Sequence, residues 1–455
     1  MMANRRTLRV FYILILTQTF SLIGSRMTGL AVAIKVFKDT DRATPLALTA
    51  FFSTLPSLVS ASIAGVLADR WDRRYVMMLA DAGQAVGTLL LMISFLSGAF
   101  QLWLLYVVVL IQSVFGIFQQ PAFQASVTML VPDAHRDRAN AIQQLTGPMS
   151  GMVAPVLAGL LFAEIGAAGV MGIDLFTFAV AVVVVLLVSI PRPEQTAEGR
   201  AMQGSIWNEA VVGFRYLASR RILFVISLYS ALVNFLLSAA LVLDTPYILT
   251  ITGSEAALGT LMGVMSAGGI VGGVIMSVWG GTRPRVHTIM PGIIAAGVFL
   301  ALFGISRSPV TMGIALFWLL VPIPIVNAAF MSIMQLKVPP DLQGRVFAAL
   351  GQMSMLLMPL AYLVAGPLAD RVFEPAVGRA GWGIVAPLVG SHAGSGIGLI
   401  MLVSGSSLAL LSVVAYAVPA FRHMEATLPD YLPVAAVPTG GEAAEVPTAA
   451  SPAAA

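Results

Sequence analysis

GVLADRWDRR, residues 65–74, gathers Asp69, Arg70, Asp72, Arg73 and Arg74 into one short stretch between two long apolar segments. Around it the chain is greasy: of 455 residues 58% are hydrophobic and only 10% charged, and the mean hydropathy is +0.91. A water-soluble domain carries charge on about a quarter of its residues, so this composition places the chain in a membrane. There a crossing helix satisfies its own backbone hydrogen bonds and needs ~20 mainly apolar residues. The charged stretch is then a turn between two crossings.

Working outward from that turn with a window of ~20 residues, spans are predicted near 46–67 and 75–97, with 10–36 before them and 102–124, 141–163 and 168–190 after. A second series is predicted near 222–243, 256–279, 288–306, 310–334, 346–368 and 396–419. The opening MMANRRTLRVFYILIL has a basic start, but its apolar run continues towards Phe37 without a small-residue cleavage site, so it reads as span one and not as a secretory leader. Between the series, residues 191–221 are polar and basic, and Ile206, Val211, Phe214 and Leu217 recur at roughly helical spacing. The expected fold is an all-α membrane protein with 12 transmembrane helices in two pseudo-symmetric six-helix bundles, 1–190 and 222–420. A cytoplasmic linker with an amphipathic helix, 191–221, joins them. The tail, 421–455, is rich in Ala, Pro, Thr and Gly and lacks the apolar mass to fold.

Lys and Arg in short loops are retained in the cytoplasm. With the amino terminus inside, most of the 25 basic residues fall inside too, and only Lys35, Lys38, Arg42, Arg307, Arg371 and Arg379 fall outside. The expected placement is a multi-pass protein of the cell membrane with both termini cytoplasmic. The same scatter argues against nucleic acid, because the basic residues form no patch interleaved with aromatics. The chain has no cysteine, which excludes disulfides and thiolate chemistry. His135, His287, His392 and His423 lie far apart without metal-ligand spacing, and no phosphate-binding loop occurs. Neither an enzyme, a metal site nor a cofactor is expected.

The charged turn admits two readings. Arginines alone hold orientation. The order here adds Gly65, which permits close helix approach, and Asp69, placed to meet a helix dipole or one of Arg70, Arg73 and Arg74. That order resembles the loop signature of the major facilitator superfamily, Gly-x-Leu-Ala-Asp-Arg-x-Gly-Arg-Arg/Lys, with Asp72 where the family commonly has glycine. The DRxDRR form is similar to the branch of enterobactin exporters and macrolide-efflux carriers. QPAFQASVTMLVPDAHRDRANAI (120–142) and MQLKVPPDLQGRVFA (334–348) also resemble that branch, and they echo each other in a Val-Pro turn, an acid and an Arg before the next helix. The second-half counterpart of the charged turn, WGGTRPRVH (279–287), keeps basic residues but lacks the acid, which points to Asp69 as the weightier half of a gate.

The resemblance implies a secondary transporter that rocks its halves about a midplane cavity lined by spans one, four, seven and ten, with the proton as coupling ion. Those spans carry Gln18, Ser25 and Gly29; Gln112, Gly116, Gln119 and Phe123; Ser227, Ala231, Asn234 and Ser238; and Asn327, Met331 and Met334. Polar stripes flanked by Met and Phe suit an amphiphilic small-molecule substrate. Span five, GPMSGMVAPVLAGLL (147–161), sets Ser150, Ala154, Pro155 and Gly159 at the spacing that lets membrane helices approach. Packing alone accounts for it, and it also resembles, in degenerate form, the motif of proton-coupled drug antiporters.

Charges within spans mark partners or pathways. Arg26 is expected either to snorkel towards the outer interface or to pair with Asp174, Asp244 or Glu164, and Asp81 to be tied to the arginines of the charged turn. Residues 382–398 read as a long flexible or re-entrant outer loop. The function expected is export of a small amphiphilic compound, drug, macrolide or siderophore-like, by a monomer in the lipid bilayer. A lipid or lysolipid flippase and a transport-inactive receptor or scaffold are the alternatives.

Overall fold

The computed structural model describes residues 2–70, 73–132, 135–187, 206–340, 342–423 and 425. Among them every regular element is helical. Spans one to four are Met2–Thr40, Thr44–Arg70, Arg73–Leu96 and Leu102–Leu130. Spans five and six form one helical run, Arg136–Leu187, folded back at Gly166, whose φ of 64° and ψ of −176° suit a residue without a Cβ. The helix Ile206–Ser219 precedes the second bundle.

Span seven is broken into Arg221–Leu241 and Asp244–Thr252, and span ten into Pro309–Leu320 and Pro322–Lys337. Span eleven runs through Gln343–Met355 and Met358–Leu368 and on to Ala376, while spans eight, nine and twelve are Glu255–Trp279, Val286–Ile305 and Ser395–Ala417. Pro322 and Pro359 stand at the starts of new pieces, where a missing N–H breaks no helical bond. Where span eight starts, Ser254 accepts a hydrogen bond from the Ala257 N–H at 3.2 Å, a cap worth about 1 kcal/mol. The fold is therefore the expected twelve-helix membrane protein in two bundles.

An even number of crossings brings both chain ends to one side, called the terminal face below; the other is the opposite face. Phe176, Leu187 and Val278 stay 69%, 81% and 84% exposed, an apolar exterior that lipid covers. Residues 382–398, expected as a flexible or re-entrant outer loop, are folded into short helical turns. Trp382 donates from Nε1 to the Gly390 carbonyl at 2.8 Å, and the Glu374 carboxylate accepts from the N–H groups of Gly394 and Ile397, closing the start of span twelve. The beginning of the tail is also held. Glu425 accepts from the backbone and guanidinium of Arg285, and Lys337 donates to its carbonyl oxygen. The acid absent from WGGTRPRVH itself is thus supplied to this turn by the tail. Residues 426–455 and most of the linker, 191–205, lie outside the described residues.

Candidate functional site

The amino-terminal bundle holds a chain of polar side chains that joins four spans. Asp81 on span three is fully buried and accepts hydrogen bonds from Gln18 Nε2 of span one, at 3.1 Å, and Gln119 Nε2 of span four. Gln84 Nε2 donates to Gln119 Oε1 at 2.9 Å. Gln112 Nε2 donates to the main-chain carbonyl of Gln84 at 2.8 Å and to Thr88 Oγ1 at 3.2 Å. Thr88 Oγ1 donates to Asp174 Oδ2 at 3.4 Å, and Ser25 Oγ donates to Asp174 Oδ1 at 3.3 Å. Two acids are in this way linked through amides and hydroxyls, and Asp174 is 1% exposed. Unpaired buried carboxyl groups are costly in apolar surroundings, and these bonds offset part of that cost.

Beside the chain is a pocket of about 110 Å³ bordered by Gln18, Leu22, Gln84, Gln119, Phe123 and Phe178. Amides and aromatic rings together give it the mixed lining of an amphiphile site. Gln18, Gln119 and Phe123 thus border one pocket. Gln112 sits deeper, bonded toward Thr88.

The carboxy-terminal bundle contributes less. Ser227 and Ala231 of the predicted stripe are buried at 0% and 2% exposure and Met334 at 0%, so they pack and do not line a path. Asn234 turns its amide back to the Ser230 carbonyl at 2.9 Å. Asn327 and Met331, one turn apart on span ten, are exposed. Helical spacing defines a shared face; it does not say which neighbour that face meets.

Among the described residues, the charge pairs expected for Arg26 and Asp81 do not form. Arg74 donates to the carbonyls of Val185 and Leu186 at the end of span six, and Asp81 lies two turns farther along span three, among glutamines. The backbone of Gly65, Asp69 and Arg70 ends span two and that of Arg73 begins span three; their side chains, with Trp71 and Asp72 entirely, lie outside the described residues. Arg26 is exposed, and no described carboxylate stands within ion-pair distance of it. Asp174 is engaged by hydroxyls, Asp244 Oδ1 accepts from the Thr245 N–H and Oγ1, and Glu164 is exposed.

Towards the opposite face the bundles meet. Span five lays its small residues on span eight. A Cβ at Gly159 would overlap the Glu255 carbonyl oxygen and stand 3.1 Å from the Gly259 Cα, so the two backbones touch. Ser150 and Ala154 are fully buried beneath this crossing, and the Pro155 carbonyl fills the space a side chain at 259 would need. Lys38 pairs with Glu255 across the same seam.

Asp370 of span eleven caps span two from the other bundle: its carboxylate accepts from Ala43 N at 2.9 Å, Thr44 N at 2.8 Å and Thr44 Oγ1 at 2.5 Å. One turn earlier, Gly366 lies against Thr44 and Ala47. Asp370 escaped the sequence reading although a signal was there: GPLADR, 366–371, repeats GVLADR, 65–70, at five of six positions.

The sequence profile of the Major Facilitator Superfamily matches residues 14–362. Macrolide efflux protein A of Streptococcus pyogenes is 25% identical over 382 residues, covering 80% of this chain and 90% of that protein. Enterobactin exporter EntS of Salmonella choleraesuis (strain SC-B67) is 25% identical over 351 residues, covering 75% of this chain and 81% of that one. Among solved structures, nucleoside transporter NupG matches with a TM-score of 0.67 at 13% identity over 89% of this chain and 98% of that chain, a likeness of fold alone.

Proposed function

The chain belongs to the Major Facilitator Superfamily, and from that premise we propose that it exports a small amphiphilic organic compound across the cell membrane by proton-coupled alternating access. Similarity to efflux proteins for macrolides and enterobactin supports the outward direction. The terminal face is cytoplasmic in this reading, residues 1–190 and 222–420 are the two rocking halves, 191–221 links them, 421–455 is the tail, and a monomer suffices.

The observation that carries coupling is the bonded chain from Asp81 to Asp174, beside the amphiphilic pocket and without a cation partner among the described residues. Two carboxyl groups at bilayer depth whose partners are only amides and hydroxyls are the positions at which a proton binds and leaves. Gln18 and Gln119 touch both the acid and the pocket, so a ligand that draws on either amide disturbs the hydrogen bonds of Asp81. That contact is the proposed link between cargo and proton.

The gates follow from the two GxLADR segments. Spans two and eleven run antiparallel across the seam, each ending in this signature. At the opposite face Asp370 caps the start of span two. By the same geometry Asp69 caps the start of span eleven when the cytoplasmic side closes, with Arg70, Arg73 and Arg74 holding the turn.

Efflux from vesicles loaded with a panel of amphiphiles, with and without a protonophore, tests this reading. Protonophore-sensitive efflux is expected from the unaltered protein, together with its loss in Asp174→Asn and Asp81→Asn. Efflux indifferent to the protonophore, or coupled efflux surviving in both variants, would contradict the coupling.

A further inference from the structure

Arg26 is the one charged side chain among the described residues that stands exposed near mid-depth of the bundle. At ~1.5 Å per residue it lies roughly 15 Å from the outer end of the span predicted at 10–36 and roughly 24 Å from its inner end. An arginine stem does not bridge such distances to either interface, so snorkelling does not account for it. The guanidinium leans on other helices instead. Its Nη1 is 2.8 Å from the point where a Cβ on Gly151 would stand, and Ser266 Oγ, which donates to the Gly151 carbonyl, is 3.4 Å from that point. Spans one, five and eight meet there, on the seam between the halves, and only a glycine at 151 leaves the guanidinium its place.

The other charges at this depth are sealed. Asp81 and Asp174 are 0% and 1% exposed and wrapped by donors, and Asp244 is held by Thr245. Among the described residues, a molecule at this point of the seam therefore meets an exposed positive charge and no exposed negative one. Arg26 also shares a helical face with Leu22 and Gln18, one and two turns away, both on the pocket wall. A lone guanidinium in a membrane faces water or an anion, and its planar fork matches a carboxylate, sulfonate or phosphate with two parallel hydrogen bonds.

We infer that the cargo is an anionic amphiphile whose acidic group docks on Arg26 while its apolar body lies towards Leu22, Phe123 and Phe178. The inference rests on the export reading and narrows it: neutral and cationic amphiphiles lack the group this site is built to hold.

The test uses a matched fluorescent pair, dansyl sulfonate and neutral dansylamide, titrated into the full chain in detergent. The sulfonate is expected to bind at least tenfold more tightly than the amide. Arg26→Gln abolishes that preference, and Arg26→Lys, which keeps the charge but not the fork, retains part of it. Equal or tighter binding of dansylamide, binding of neither probe, or an unchanged preference in Arg26→Gln overturns the inference. The comparison on the unaltered protein decides even if a variant fails to fold.

A second arm, movement of labelled phosphatidylglycerol against labelled phosphatidylcholine in proteoliposomes, separates a lipid headgroup from a free anion as the source. Selective, Arg26-dependent movement of the anionic lipid keeps the site and assigns its anion to lipid. A third arm separates this inference from its parent: rhodamine 6G leaving loaded vesicles equally well with the unaltered protein and Arg26→Gln leaves export standing and removes the anion site. Efflux of no probe of any charge class removes export, while the titration still reports on Arg26.

Discussion

On the proposed alternating-access reading, Asp370→Ala removes a cap that exists only while the opposite face is closed, and so shifts the balance between the two carrier states. The lost carboxylate accepts two backbone N–H bonds and one hydroxyl bond from the start of span two, which belongs to the other half. A capping side chain is worth about 0.5–2 kcal/mol, and a negative charge at a helix N-terminus adds about 0.3–1 kcal/mol. In the state open at the opposite face, water replaces these bonds for both partners, so part of the sum is returned. A net shift of about 1–2 kcal/mol, a factor of ~5–30 in the population ratio, is expected towards opening on that face. Asp370→Asn keeps one acceptor and shifts the ratio less.

The cysteine-free chain suits the assay, since an introduced pair labels uniquely. Ala99→Cys, on the exposed turn after span three, and Val310→Cys, in the exposed first turn of span ten, place one spin label in each half. Pulsed electron resonance then reads the distance between them. Growth of the long-distance population in Asp370→Ala is expected; a distribution identical to the parent's, in a variant that unfolds at the parent's temperature, would refute the latch.

Gly159→Val should block closure of the same seam, because its Cβ meets the Glu255 carbonyl oxygen and the Gly259 backbone; efflux should fall at least tenfold with surface expression unchanged, and near-parental efflux would show that the crossing separates easily. Asp69→Asn should lower flux without loss of membrane insertion, and full flux in that variant would sink the cytoplasmic latch. Glu425→Ala frees Arg285 and should speed amide exchange across the turn at 282–288; exchange as slow as the parent's would mean the tail is not what holds it.

Much of the fold was legible because a span requires little more than a run of apolar residues, whereas the breaks at Pro322 and beside Pro359 fall inside spans read as continuous, 310–334 and 346–368. The site was legible in part. Gln18, Gln119 and Phe123 converge because lining residues on neighbouring helices need only point to one axis. What failed was pairing. Asp81 was assigned to arginines near in sequence, yet the rotation of span three turns it to Gln18 and Gln119. Arg26 was assigned a carboxylate, but Asp174 faces Ser25 and Thr88 inside the amino-terminal bundle while Arg26, the next residue after Ser25 and ~100° around the helix, faces the seam.

The second GxLADR shows a different limit. In GVLADRWDRR the signature stands out because further charges follow it. In GPLADRVF the same letters run on into apolar residues, where hydropathy conceals them. Their equivalence appears only when spans two and eleven are seen antiparallel across the seam, with Asp370 on the first residues of span two. If the two acids are alternatives in one cycle, removing both should leave neither state favoured by a cap. The double variant Asp69→Asn with Asp370→Asn should then restore the parental distance distribution that each single variant displaces in opposite directions. Displacement in the same direction by both single variants would show that the two segments share letters without sharing a role.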